Sequence, residues 1–188
     1  AADLRSWNLQ PVVERKQQTI VPRGLRSFGT DDADFFTDLL PGPRDRAGLP
    51  ESIGFWKTRL EETDAEQTFA VGLIYGPSGC GKSSLVKAGL LPRLSKTVTA
   101  VYLEATPDET EIRILRGLRK QCPDEAGDGD LVETLTHLRR TPGRKVVLVL
   151  DQFEQWLHAH RGEQHPELVS ALRQCDGGQL QAVVMVRD

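Results

Sequence analysis

The sequence predicts an α/β domain in which a mostly parallel sheet lies between two layers of helices. From residue 70 onward, short apolar, β-branched segments alternate with amphipathic helical stretches, and that alternation implies parallel strands joined by crossover helices. Residues 146–150 are apolar at every position, as expected of a central strand covered on both faces. A glycine-rich turn, Gly76-Pro77-Ser78-Gly79-Cys80-Gly81, stands between the first such strand and a helix.

Composition narrows the class. A chain of 188 residues with 38% hydrophobic residues has room for one sizeable core plus some additional chain, and is too apolar for wholesale disorder. Its 24 Lys and Arg stand against 27 Asp and Glu, a net charge of −3, so non-specific nucleic-acid binding is not expected. No apolar run approaches the roughly 18 residues of a membrane span, and no basic-then-apolar leader opens the chain. Three widely spaced cysteines, Cys80, Cys122 and Cys175, suit a reducing compartment rather than a disulfide framework. Together these place the protein in the cytoplasm. The chain opens on Ala1 without Met and stops at Asp188 after an apolar run, which reads as a piece of a longer protein.

Taken in order, residues 1–27, with Pro11, Pro22 and Gly24 and no periodicity, read as a linker or arm. Residues 28–69 form an N-terminal helical segment. Within it, an acidic start and the Phe35-Phe36 pair give a helix over 31–40, Pro41-Gly42-Pro43 ends it, and Ile53, Trp56 and Leu60 give a second over 51–64. The core occupies 70–188. It begins with a strand at 70–75 and a helix from Lys82 to about Leu91, stopped by Pro92. A strand at 97–103 follows, then helices at 108–122 and 130–139 separated by a flexible loop at 123–129. Strand 146–150, a helix at 167–175 and a strand at 183–186 complete the pattern.

Gly76-Pro77-Ser78-Gly79-Cys80-Gly81-Lys82-Ser83 matches G-x-x-x-x-G-K-[ST] in full, the phosphate-binding loop or P-loop. Glycines let the backbone curl so that successive N–H groups, at the positive end of the following helix, face a phosphate. Residues Gly76 to Ser84 are the expected nucleotide cradle. Lys82 would reach the β- and γ-phosphates and the Ser83 hydroxyl would ligate Mg²⁺. Cys80 sits at a variable position, read as inert or as a thiol at a helix N-terminus. Asp151 ends the apolar strand where such sites hold magnesium through water. Beyond it, Glu154 is a candidate to polarise the attacking water, with Gln152 as a water-orienting alternative and neither as a third. Arg187, at the carboxyl end of the last strand, is placed at the edge where open α/β sheets bind ligands. It reads as a γ-phosphate sensor contacting ATP but not ADP, or else as a surface arginine.

These residues carry a resemblance. Pro22-Arg23-Gly24-Leu25-Arg26-Ser27-Phe28 with Asp32-Ala33-Asp34-Phe35-Phe36, the extended run from Gly76 through Leu91, Leu150-Asp151-Gln152-Phe153-Glu154, and Val184-Met185-Val186-Arg187-Asp188 together resemble the bacterial STAND-class P-loop NTPases. In that class a nucleotide domain is fused to WD-repeat or other signalling domains. The resemblance implies a three-layer α-β-α P-loop fold with strand order 1-4-3-2, whose last strand, helical lid and winged-helix segment would follow Asp188. It implies an ATP-binding, slowly ATP-hydrolysing, Mg-dependent signal-transduction switch. Its partners would be ATP and ADP, C-terminal domains of the same chain such as repeat domains, and further copies through nucleotide-dependent self-association. This piece alone would be nearly inactive. The family usually follows its Phe-Phe pair with Gly-Arg-Glu on the adenine side; here Thr37-Asp38-Leu39 and a Pro/Arg-rich insertion stand instead.

Other signals are weaker. His158 and His160, two residues apart, point to different sides of a helix and, with His165, read as a solvated helix end rather than a metal site. Arg139, Arg140, Arg144 and Lys145 read as a solvated basic patch, Asp176-Gly177-Gly178-Gln179 as a turn, and Trp7, Trp56 and Trp156 as packing residues. Asp124-Glu125-Ala126-Gly127 fits a GTPase D-x-x-G, but no guanine motif accompanies it. Two other functions remain in view: a non-hydrolysing nucleotide-dependent scaffold, and a small-acceptor phosphotransferase.

Overall fold

Four strands, β1 (Val71–Gly76), β2 (Val98–Glu104), β3 (Lys145–Asp151) and β4 (Leu180–Arg187), pair in parallel in the order β1-β4-β3-β2. This computed structural model describes residues 26–164 and 166–188. Residues 1–25 of the arm expected at 1–27, with Trp7, and His165 lie outside the described residues.

Alternation along β3 divides the core. Val146, Leu148 and Leu150 face one layer and Val147 and Val149 the other, all at 2% exposure or less. The first layer consists of α4 (Thr110–Gln121), α5 (Leu131–Arg140), α6 (Glu154–Ala159) and α7 (Glu167–Leu172). Ile114 and Leu118 from α4, Leu131 and Leu135 from α5 and Leu168 from α7 are fully buried there, each worth about 1.5–3 kcal/mol relative to exposure. Asp130 starts α5 by accepting the Glu133 N–H at 2.8 Å, a standard N-cap.

The second layer comprises α1 (Ala33–Leu39), α2 (Glu51–Glu61) and the helix after the glycine-rich loop. That helix is not continuous. One α-turn, α3 (Lys82–Ser84), passes into a π-helical stretch (Leu85–Leu90) and then a 3₁₀ turn (Leu91–Arg93). The Arg93 guanidinium takes up the Ala88 and Gly89 carbonyls at 2.9 and 3.0 Å and reaches across to Ala33 O and Thr37 Oγ1 on α1, so the widened helix is held against its neighbour. Gly89 lies under Ile53 and Phe36, where a Cβ would come within 2.9 Å of Ile53 Cδ1.

Further differences from the sequence expectation have local causes. The second N-terminal helix stops at Glu61 because the Glu62 carboxylate accepts the N–H groups of Thr63 and Asp64, which also lowers its pKa. Strand β4 begins at Leu180 rather than 183, since Gln181 is buried in it with its amide donating to Thr68 Oγ1 and Phe69 O. The 167–175 helix stops at Leu172. The loop at 123–129, expected to be flexible, inserts Ala126 into the core and is tied by Arg119 to the carbonyls of Gly127 and Gly129.

Lys145 is not in a solvated patch. It is 3% exposed, and Nζ donates to the carbonyls of Glu62 and, at 2.6 Å, Gly177. Asp176 Oδ1 accepts the N–H groups of Gln179 and Leu180, so 176–179 is a turn. Trp156 is buried between Phe153 and His160, whose ring stacks on it at 4.4 Å.

Candidate functional site

At the carboxyl ends of β1, β3 and β4, strand register brings three separate stretches of sequence together. Gly76 is the last residue of β1 and pairs directly with Arg187 of β4. Asp151 ends β3, beside the end of β4. The chain leaves β1 through Gly79 and Gly81, at φ +78° and +94°, a left-handed backbone that side chains resist. The N–H of Leu85 then bonds Gly81 O at 2.8 Å and opens the helix. The result is an open cavity of about 810 Å³ lined by Ser78, Gly79, Gly81, Lys82, Ser83, Ser84, Asp151, Gln152, Glu154 and Arg187. Gly76 forms the strand end leading into this loop, Pro77 and Cys80 lie within it, and Cys80 is exposed with a free thiol.

The polar groups of Lys82, Ser83 and Glu154 each have a definite partner. Lys82 Nζ donates to Gly76 O at 2.7 Å and Pro77 O at 3.0 Å and lies 3.8 Å from Cys80 Sγ, folding the lysine over its own loop. The Ser83 hydroxyl donates to Asp151 Oδ2 at 2.5 Å. The Glu154 carboxylate, at the start of α6, accepts the backbone N–H of Arg187 at 3.1 Å. Gln152 adopts φ +54°, the one positive φ at a non-glycine among the described residues; a side chain held there stores backbone strain of order 1 kcal/mol or more. Its N–H donates to Asp151 Oδ1 at 2.8 Å, and the left-handed turn starts α6 immediately after the strand.

Sequence reasoning missed three residues of this neighbourhood. The Tyr102 hydroxyl donates to Asp151 Oδ2; burial, then the adjacent carboxylate, pushes the phenol pKa far up, so it stays protonated as a donor. Lys87 lies over the Tyr102 ring, 4.7 Å from its centroid, pairs with Glu104 at 3.0 Å and reaches Ser27 Oγ at 3.5 Å. The available signal was that β2 and β3 end level with one another, Glu104 opposite Asp151, so that Tyr102 and Glu104 share the face of Asp151. On the far side, the Phe28 N–H donates to Ser84 Oγ at 3.0 Å, and the Phe28 ring packs on Phe35 and Phe36, with Phe28 and Phe36 lining the cavity.

The donor chemistry fits one kind of metal. The Ser83 hydroxyl and the Asp151 carboxylate offer hard oxygen donors, and among the described residues no three His, Cys, Asp or Glu side chains converge. A two-ligand oxygen site cannot cage a metal alone. It suits Mg²⁺, which keeps its waters and takes phosphate oxygens for the rest.

The family model of Novel STAND NTPase 1 matches residues 23–188. The chain belongs to this family. The STAND domain is therefore a nucleotide-binding NTPase-family domain, with the all-parallel P-loop sheet expected of it. No curated protein matches the chain. Among solved structures it is similar to the Aeropyrum pernix ORC2 protein in its ADPNP-ADP complexes, at 19% identity and TM-score 0.57 over 81% of this chain and 44% of that one. It is also similar to Drosophila ORC bound to DNA, at 19% identity and TM-score 0.53 over 73% and 36%. At that identity the likeness is one of fold, and the STAND domain spans less than half the length of either structure. Among the described residues no helix is long and apolar enough to cross a membrane.

Proposed function

We propose that this STAND domain binds Mg·ATP between its P-loop and the ends of β3 and β4, and that the bound nucleotide sets the state of a slow ATPase signalling switch. One observation carries the reading: a single cavity collects Lys82, Ser83, Asp151, Glu154 and Arg187 from three strand ends. In this reading the backbone from Gly76 to Ser84 cradles the phosphates, with Cys80 contributing only its main chain. Lys82 exchanges the Gly76 and Pro77 carbonyls for β- and γ-phosphate oxygens. Ser83 and Asp151 would hold magnesium, which when bound would screen the phosphate charge. Glu154 orients the attacking water and Arg187 senses the γ-phosphate. Residues 28–69 close the base side through Phe28 and Phe36, and residues 70–188 form the P-loop core.

ATP against ADP would then bias the packing of C-terminal domains of the same chain, or self-association. The ADPNP and ADP of the Aeropyrum structure are compatible with this ligand class. The DNA of the Drosophila structure is not carried over, because a net charge of −3 gives no electrostatic footprint for it.

A second reading, the non-hydrolysing scaffold, is favoured by one contact. Glu154 already spends an oxygen on the Arg187 N–H, as a carboxylate fastening β4 to α6 would.

Calorimetry with Mg·ATP, Mg·ADP and Mg·GTP on the wild type, Arg187→Ala and Lys82→Ala tests the assignment. ATP is expected to bind about tenfold more tightly than ADP, or about 1.4 kcal/mol. Arg187→Ala should erase that preference and Lys82→Ala should abolish binding. Unchanged affinity in Lys82→Ala would overturn the site. Turnover unaffected by Glu154→Gln would turn the reading to the scaffold.

A further inference from the structure

We propose that Tyr102 is a positioning residue for the metal-side carboxylate, acting through Asp151 and touching neither nucleotide nor metal. The inference rests on the reading of Asp151 as a magnesium-holding residue and adds a determinant of how well it does so.

A carboxylate has about four acceptor positions. On Asp151, Oδ1 accepts the Gln152 N–H, and Oδ2 accepts both the Ser83 and the Tyr102 hydroxyls. Three donors, from α3, β2 and the turn after β3, leave about one lone pair, on Oδ1, for anything else. At 2% exposure, the side chain has little solvent to share those positions with. Of the three donors, the Gln152 amide is set by backbone, and Ser83 is itself proposed as a metal ligand. Tyr102 alone is a side chain not itself proposed to touch the metal.

Register explains how it arrives there. Tyr102 pairs with Val149 and Glu104 with Asp151, so Tyr102 lies diagonally across the sheet from Asp151 on the same face. A diagonal gap of roughly 7–8 Å is one that an aromatic side chain spans. The ring is held in place from above by the Lys87 ammonium, itself paired with Glu104 and in reach of Ser27. The residue is thus held at its ring and at its hydroxyl, and ligand-orienting partners of this kind typically contribute 10–100-fold to metal affinity.

Tyr102→Phe keeps the ring and its cation contact and removes only the oxygen. ADP affinity is to be measured by titration in excess EDTA and in excess Mg²⁺, for wild type, Tyr102→Phe and Asp151→Asn. Wild type should bind ADP more tightly with Mg²⁺, and Asp151→Asn should lose that gain. Tyr102→Phe should keep the EDTA affinity, which certifies the fold and the P-loop, while its Mg²⁺ gain falls roughly 10-fold or more. A full Mg²⁺ gain in Tyr102→Phe, with that of Asp151→Asn lost, would overturn the positioning role and leave the magnesium reading intact. An equal loss in EDTA and in Mg²⁺ would make Tyr102 a packing residue and overturn it as well. No Mg²⁺ gain in the wild type would remove the magnesium reading and this inference with it.

Discussion

Lys145 is the clearest single-residue consequence of the fold. Its ammonium is buried at the amino end of β3, between the Glu62 and Gly177 carbonyls, and burial lowers its pKa to about 8, opposed by the charges of Glu62 and Asp176. In the unfolded chain the same lysine titrates near 10.4. Between those values the unfolded chain binds the extra proton and the folded one does not, so this group makes stability rise with pH across that window. Cys175 works the other way. Burial raises its thiol to about 12, so the folded state holds a proton that the unfolded state has lost above roughly 8.5, and stability falls. The two slopes oppose one another, and the difference between wild type and Lys145→Met isolates the lysine. Urea unfolding at pH 7.5 and 9.5 should show wild type gaining stability relative to Lys145→Met as pH rises. Parallel behaviour would mean that the lysine titrates at its ordinary value.

Among elements, the layer over β2 depends on a glycine in mid-helix. A Cβ at Gly117 of α4 would lie 2.6 Å from Val101 Cγ1 on β2. Gly→Ala in a helix interior ordinarily stabilises by about 1 kcal/mol. Val101, however, is β-branched, 4% exposed and stiff at χ1, so it cannot turn away, and overpacking costs about 1–3 kcal/mol. Gly117→Ala should therefore lower the unfolding free energy by about 1 kcal/mol, while the same change in a Val101→Ala background should raise it. Equal effects in both backgrounds would show that α4 lifts freely from the sheet. This close approach was invisible in sequence, where Gly117 interrupts an otherwise good amphipathic pattern without comment. What was legible was what depends on short-range pattern: the all-apolar β3, the P-loop spacing, and Asp151 and Arg187 at strand ends. What was not legible depends on partners far away in the chain. Gln181 breaks an apolar run yet belongs to β4 because Thr68 and Phe69 receive its amide. Lys145 reads as surface charge until two distant carbonyls surround it. Tyr102 becomes a site residue only once β2 and β3 are in register. The π-helical stretch after Ser84 likewise follows from Arg93 and Gly89 meeting α1 and α2, and a helical period alone predicts an unbroken helix there.

At the scale of the whole molecule, the two faces of the sheet are unequally covered. Register places Val71, Leu73 and Tyr75 of β1 level with Ala182, Val184 and Val186, on the face that α4 to α7 cover elsewhere. Those helices stop short: the three β1 side chains are 44%, 54% and 71% exposed, while Ile74 on the opposite face is buried under the P-loop helix. The strand is also an edge, paired with β4 on one side and with no other strand among the described residues. A flat apolar strip along an unpaired edge is a template for intermolecular pairing, and charge on such an edge is the usual remedy. Leu73→Lys should thus raise the concentration at which this chain begins to scatter light. Because Leu73 points away from the P-loop face, nucleotide affinity should be unchanged. Lost affinity would mean that β1 transmits a change on one face to the loop that follows it. Unchanged scattering with intact affinity would mean that the strip is already covered in solution, and protection of the β1 amides from hydrogen exchange would then identify the edge as paired.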